Sequence, residues 1–315
     1  MKTVKTGSAE KAAGIIRKGG IVAFPTETVY GLGASVFDEK GIIKIFIAKE
    51  RPSDNPLIVH IADTDHLQLV AGSIPISAQK LIDAFFPGPL TVILPKAERV
   101  PEIVTAGLKT VGVRMPDHPL TSKFLKLCGT PVVAPSANRS GRPSPTTWQA
   151  VESDLGGRID CILKGSRTKI GLESTVVDCT GKVPVILRAG ALSLEKLRKA
   201  VPSVRLLRSG PGTKVKSPGM KHRHYAPEAK IVIISQHDKP AGPGNSAYIG
   251  LTPPKYAHGF KLRKICKSPD DYARFLFDFF RKCDKIKIDT IYCQPVPEKG
   301  IGLALMDRIK RGAMK

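Results

Sequence analysis

The sequence predicts an α/β fold in two parts, and three features predict it. Apolar runs of strand length alternate with segments of helical period, a basic stretch broken by Pro and Gly interrupts the alternation, and the pattern then resumes. Ser8 caps a first helix carrying Ala12, Ala13, Ile15 and Ile16 on one side, and Gly19-Gly20 ends it before the apolar run Ile21 to Phe24. Asp38 opens a second helix with Ile42, Ile43, Ile45, Phe46 and Ile47, which leads through the Pro-rich loop Arg51 to Pro56 into a strand over Leu57 to Ile61. The alternation continues with helix 76–86, strands 90–94 and 111–114, helix 119–127, strand 131–134 and helix 146–154. Strands near 174–178 and 184–188 and a helix near 193–200 close the first part. From Lys196 to Arg223 there are nine Lys or Arg and no Asp or Glu, a linker by composition. Beyond it, 231–234, 247–249, 262–266 and 290–293 read as strands, and 270–282 and 299–311 as helices. The expected division is therefore 1–205, a basic linker over 206–228, and a small α/β domain over 229–315.

Composition bounds the function. At 315 residues with 42% apolar content the chain is long enough for two cored domains, and 50 Lys and Arg against 27 Asp and Glu give a net charge of +23. Polyanions such as nucleotides or nucleic acid are the expected partners. The positive excess is spread over both parts roughly in proportion to length, so it marks no separate nucleic-acid module. Cys128, Cys161, Cys179, Cys266, Cys283 and Cys293 form no CxxC, which argues against a zinc cage or a disulfide framework and for reduced thiols in the cytoplasm. No secretory leader and no apolar run of membrane length is visible, so a membrane is not expected.

Several segments could carry chemistry. Pro25 to Gly33 follows a strand with hydroxyls and glycines that let backbone approach a ligand; taken alone it reads first as a turn whose Thr hydroxyls bond local backbone. Lys49, Arg51, Asn55 and His60 surround a loop held by Pro52 and Pro56. Two cations one residue apart suit phosphate, but Lys49 also suits a solvated helix C-terminus. A lone His at a strand end is usually a hydrogen-bonded core residue. Thr110 and Arg114 end a short apolar strand, and a buried Arg there needs either an anionic ligand or a carboxylate partner. Val132 to Gly141 runs from a strand into a small polar turn whose donors suit phosphate or ribose oxygens. Ser144 and Ser174 say nothing individually. The motifs GxxxxGK[ST], GxGxxG after a strand, GxSxG and HExxH are all missing, so any nucleotide sits in an uncommon cradle.

Taken in order, PTETVYGLG, KERPSDNPL, FFPGPLTVIL, VGVRMPDHP, PVVAPSANRSG, GLESTVVD, ILRAG and SPGMKHRHYAP strongly resemble the YrdC-like threonylcarbamoyl-AMP synthases in their long, two-domain form. The carboxy-terminal EKGIGLALMDRIKRGA resembles that form's second domain. The fold implied is a YrdC-like domain with a twisted mixed sheet and flanking helices around an electropositive concavity, plus a smaller Rossmann-like domain. The reaction implied joins L-threonine, bicarbonate or CO2 and ATP into threonylcarbamoyl-AMP and pyrophosphate, with Mg2+ expected on the ATP phosphates and no metal ligands from protein side chains. A downstream transferase then modifies the tRNA adenosine beside the anticodon.

The resemblance assigns Thr28, His60, Arg114, the backbone near Ala134, and Ser174 to threonine. Lys49, Arg51, Asn55, Thr110, Ser136, Ser144, Arg188 and Tyr225 fall at positions that meet ATP, with Lys49 and Arg51 expected to neutralise charge during catalysis. His60 is expected to orient threonine rather than to take its proton. Residues 217–227 are expected to fold over the nucleotide as a lid that excludes water. Two other classes compete. One is a double-stranded RNA or tRNA binding module, whose affinity would fall steeply with salt. The other is a carbamoyl-adenylate-forming carbamoyltransferase, whose additional zinc-binding modules this sequence lacks.

Overall fold

In the computed structural model the described residues are 2–207, 225–235, 244–254 and 259–314. The first lobe holds β1 (Val4–Thr6), α1 (Ala9–Arg17), β2 (Val22–Phe24), β3 (Gly31–Ser35), α2 (Glu39–Lys49), β4 (Ile58–His60), α3 (Leu67–Val70), α4 (Ile76–Phe85), β5 (Leu90–Pro95), α5 (Glu102–Thr105) and β6 (Thr110–Arg114). It continues with α6 (Pro119–Cys128), β7 (Val132–Val133), α7 (Trp148–Leu155), β8 (Cys161–Leu163), β9 (Thr175–Asp178), β10 (Val185–Arg188), α8 (Leu194–Ala200) and β11 (Arg205–Leu206). Its strands form one mixed sheet in the order β1-β8-β2-β3-β7-β4-β6-β5-β9-β10-β11. The second lobe holds β12 (Lys230–Ile233), β13 (Ser246–Gly250), β14 (Phe260–Ile265), α9 (Pro269–Lys285), β15 (Thr290–Cys293) and α10 (Gly302–Ala313). Its four strands are all parallel, in the order β12-β15-β13-β14.

Local chemistry sets the element ends. Ser8 Oγ accepts from Lys11 N at the start of α1, and Ser268 Oγ caps α9 in the same way through Asp271 N. Asp38 occupies the N-cap position of α2 but makes no capping bond with its side chain. Gly31 to Gly33, the end of the segment read from sequence as loop, falls in strand β3. Its glycines have little strand preference of their own, and pairing with β2 and β7 on either side overrides that. Glycine is required at 33, since a Cβ there would lie 2.5 Å from Val132 Cγ1 and 2.8 Å from the Phe24 ring. β1, β8 and β11 are two or three residues long, too short for an alternating pattern to register.

Among the described residues three large apolar cores hold these layers, with a small fourth cluster of Ile234, Tyr248 and Tyr292 in the second lobe. One lies under α2, α4 and α8, and a second lies on the opposite face under α1 and α6, where Phe24 packs against Phe124. The third belongs to the second lobe but takes in Val29 and Leu172 from the first. At this junction Gly171 adopts φ +85°, and a Cβ on it would sit 2.6 Å from Arg274 Cα. The lobes are therefore packed together directly. All six cysteines are buried and unpaired.

Candidate active site

The register of the central strands creates the site. β4 and β6 run parallel with His60 opposite Arg114, and β7 pairs antiparallel with β4, so the turn after Val133 emerges beside both side chains. A bridge between Gly31 and Ser136 holds that turn over β3. The result is a hollow open to solvent. Of the residues expected from sequence, Arg51, His60, Arg114, Ala134 and Ser136 line it from the sheet side. Ser144, Ser174, Arg188 and Tyr225 line it from the other.

Four expected residues do not line it. Lys49, at the last position of α2, is buried rather than solvated, and its ammonium donates to the carbonyls of Ser136 and Asn138. Burial, with the nearby charge of Arg51, holds its pKa well below the usual lysine range. In this structure Lys49 shapes the 136–138 turn from behind. Thr28 is fully buried next to Thr26. Because the single Thr26 hydroxyl proton goes to Val29 O, 2.6 Å away, Thr28 Oγ1 is the donor in the 2.8 Å contact between the two hydroxyls. The local hydroxyl bonding that the sequence suggests is present, and Thr26 faces the hollow. Thr110 lines a small adjoining cavity that shares Pro56, Leu57 and Ile58 with the hollow. Asn55 is buried, and neither atom of its amide has a hydrogen-bond partner among the described residues.

Arg114 has a carboxylate partner. Its Nη2 lies 2.6 Å from Glu27 Oε1, both side chains are buried, and the guanidinium still faces the hollow. The two readings left open by sequence, ion pair and anion site, therefore coexist at one residue. His60 Nδ1 lies 3.2 Å from Ile58 O and donates to it, so Nε2 carries the lone pair. Burial, reinforced by the charge of Arg114, pushes the His60 pKa down to about 3. The ring stays neutral near pH 7. Arg51 donates to Asn55 O and Pro56 O at 3.2 and 3.3 Å, and its buried Nε has no hydrogen-bond partner among the described residues. Burial lowers its pKa to about 10, still leaving it charged.

The opposite wall is organised differently. Arg188 Nη2 donates to Ser174 O at 3.0 Å and to Ser174 Oγ at 3.2 Å, while Thr91 Oγ1 touches Ser174 Oγ at 2.8 Å. Tyr225 lines the hollow, stacks on Phe277 at 5.5 Å between centroids, and adopts φ +70°. A bulky residue held in the left-handed region is strained, and Phe277 and Arg308 of the second lobe hold its ring there. Sequence reading missed Glu173, Arg142, Asn138, Tyr30 and Thr26, all of which line the hollow. Glu173 stood within GLESTVVD and Arg142 just after NRSG, so the motifs held the signal although the residues had no assigned role. The expected lid over 217–227 lies outside the described residues apart from 225–227. Within that remainder Ala226 N donates to Gly141 O at 3.1 Å.

Among the described residues, no group of three or more His, Cys, Asp or Glu is placed to hold a metal ion. Glu173, a carboxylate facing the hollow, already accepts from Ser144 and Arg308. A Mg2+ arriving with a nucleotide would find its oxygen ligands on the phosphates.

A family model described as telomere recombination, Sua5_yciO_yrdC, matches residues 14–190. The chain belongs to the Sua5/YciO/YrdC family. A second model, described as the C-terminal domain of threonylcarbamoyl-AMP synthase, matches residues 192–314. Threonylcarbamoyl-AMP synthase of Pyrococcus abyssi is 43% identical over 96% of this chain and 93% of its own length. The Bacillus subtilis protein of that name is 41% identical over 96% and 92%. The crystal structure of P. abyssi Sua5 complexed with L-threonine matches at TM-score 0.89 and 40% identity, covering 99% of this chain and 97% of that one. Escherichia coli YciO, at 22% identity and TM-score 0.54, covers 62% of this chain and 98% of its own, and shares the fold. No helix among the described residues is long and apolar enough to cross a membrane.

Proposed function

We propose that this chain is a threonylcarbamoyl-AMP synthase, joining L-threonine, bicarbonate or CO2, and ATP to give L-threonylcarbamoyladenylate and pyrophosphate. The observation that carries the reading is the single hollow lined by Arg51, Arg114, Arg142 and Arg188 together with Ser136, Ser144 and Ser174. Four guanidinium groups around small hydroxyls suit a ligand pair carrying a carboxylate and a triphosphate.

Threonine at the His60 and Arg114 end has its carboxylate beside Arg114, whose charge is balanced by Glu27 until the ligand enters. His60 orients the amino acid through Nε2; with a pKa near 3 it is far too weak a base to hold the ammonium proton. The amine, having lost its ammonium proton to solvent, forms a C–N bond to CO2 and releases a second proton to solvent, and a carbamate oxygen then forms a bond to the α-phosphorus as the bond to the β-phosphate oxygen breaks. Such a displacement needs alignment and charge neutralisation, not a protein nucleophile. Arg51 and Arg188, which line the hollow, supply neutralisation on the phosphates. Mg2+ bound with the phosphates would supply further charge neutralisation for the leaving pyrophosphate. The product feeds transfer of the threonylcarbamoyl group to tRNA by a separate enzyme.

Incubation with ATP, Mg2+, bicarbonate and each amino acid in turn tests the reading. Pyrophosphate and an acyl-adenylate appearing only with threonine support it. Release from carbamoyl phosphate, or only salt-sensitive RNA binding, would replace it with one of the two competing classes.

A further inference from the structure

We infer that Arg308, carried by the second lobe, is a positioning residue for the hollow: through Glu173 it holds the Ser144 hydroxyl proton away from the ligand, so that Ser144 meets its ligand as a hydrogen-bond acceptor. This rests on the reading that the hollow binds ATP.

Arg308 lies on α10 and is fully buried. Its Nε donates to Glu173 Oε2 at 2.9 Å, its Nη2 to Ala189 O at 2.9 Å, and its Nη1 to Asp307. The guanidinium carbon sits 5.0 Å from the centroid of the Tyr225 ring. One arginine from the second lobe thus touches Glu173 and Tyr225, both of which line the hollow, without lining it itself. Glu173 is buried, and its other oxygen, Oε1, accepts from Ser144 Oγ at 2.6 Å. Burial by itself would raise the Glu173 pKa, but the charges of Arg308 and Arg188 outweigh it and bring the pKa below the usual carboxylate value. An ionised carboxylate only accepts, so the single Ser144 proton must point at Glu173. What Ser144 presents to the hollow is lone pairs. A phosphate oxygen, itself an acceptor, is excluded as its partner; a ribose hydroxyl or the adenine amine fits.

The test uses the full chain with Ser144→Ala, Glu173→Gln, Arg308→Met and the double variants Ser144→Ala/Glu173→Gln and Ser144→Ala/Arg308→Met. KM for ATP is read from threonine-dependent pyrophosphate release, and Kd for ATP from calorimetry without threonine. In Glu173→Gln, Arg308 can only donate, so the Gln carbonyl faces Arg308 and the Gln amide donates to Ser144, turning the Ser144 proton into the hollow. Glu173→Gln and Arg308→Met should each weaken ATP binding about tenfold and change it less than twofold in the Ser144→Ala background. Of 2′-deoxy-ATP, 3′-deoxy-ATP and inosine triphosphate, one should lose about tenfold in wild type and none in Ser144→Ala. Losses that multiply in the double variants, or no analogue that discriminates, would overturn the inference. Should Arg308→Met fail to fold, the near-isosteric Glu173→Gln carries the test. A wild type that binds ATP but ignores threonine would overturn the proposed function, while the calorimetric arm still judges Arg308.

Discussion

The wall carrying His60 and Arg114 and the wall carrying Ser144 and Glu173 face the same hollow but are fixed by different parts of the chain. His60 and Arg114 are register partners on β4 and β6, so the sheet that forms the fold also sets their spacing. Ser144 and Glu173 lie outside any helix or strand and are held by an arginine more than 130 residues further along the chain, on α10. The first wall is a consequence of strand pairing within one lobe. The second exists in this form only while the two lobes stay packed. A second bridge between the lobes repeats the pattern at the rim: Arg281 of α9 grips Asp154 with contacts of 2.6 and 3.1 Å, and Asp154 also holds Arg142 at 3.1 Å.

Variants can break this comparison in order of size. Arg51→Ala removes a cation of the sheet wall without leaving a buried carboxylate behind it, and should lower adenylate formation on the order of 100-fold or more. Pyrophosphate release by the folded variant measures it, and unchanged turnover would remove Arg51 from the phosphate site. Arg114→Ala leaves Glu27 buried and unpaired. It should cost about 3–5 kcal/mol of stability as well as threonine affinity, whereas Glu27→Gln should keep most of the affinity; denaturant melts and threonine titration separate the two effects.

The buttressed wall should respond more mildly. Arg281→Met leaves Asp154 still paired with Arg142, so turnover should fall only severalfold, less than for Arg308→Met. Equal losses from the two would mean that both lobe contacts are general packing. A cut after Val201 removes both arginines at once and should weaken ATP binding more than either single variant; calorimetry on the shortened chain tests it.

The smallest effect is expected at His60 and is one of pH. Its folded pKa, about 3, lies below its unfolded value, so the unfolded chain binds more protons at acid pH. The neutral ring contributes its full stability above about pH 6.5 and loses it progressively as pH falls toward 3. His60→Asn should flatten that acid slope in a stability profile. It should lower the pH–rate profile between pH 6 and 9 without changing its shape, and a lost acid limb would make His60 a proton acceptor.

The strands and helices of the sheet wall were legible because burial and period coincide there: Leu57 to Ile61 and Val111 to Val113 read as strands from their apolar runs. β3 was illegible because Gly31 and Gly33 suit a turn, and only their packing against Phe24 and Val132 makes them a strand. Lys49 read as a phosphate cation or a solvated helix end, since nothing in its spacing shows the two carbonyls that enclose it. Arg308 sits in DRIKRG, near the end of the helix expected over 299–311, where nothing in the local pattern marks it as buried. Its burial depends on Glu173, a pairing too distant in sequence for any local pattern to carry.

The proposed reaction requires one hollow to hold threonine and ATP together. Its most direct test is pyrophosphate release from ATP in bicarbonate buffer as threonine is titrated in. Saturable, threonine-dependent release with an equal amount of threonylcarbamoyladenylate is the predicted result; release at the same rate without threonine, or none with it, would contradict the account.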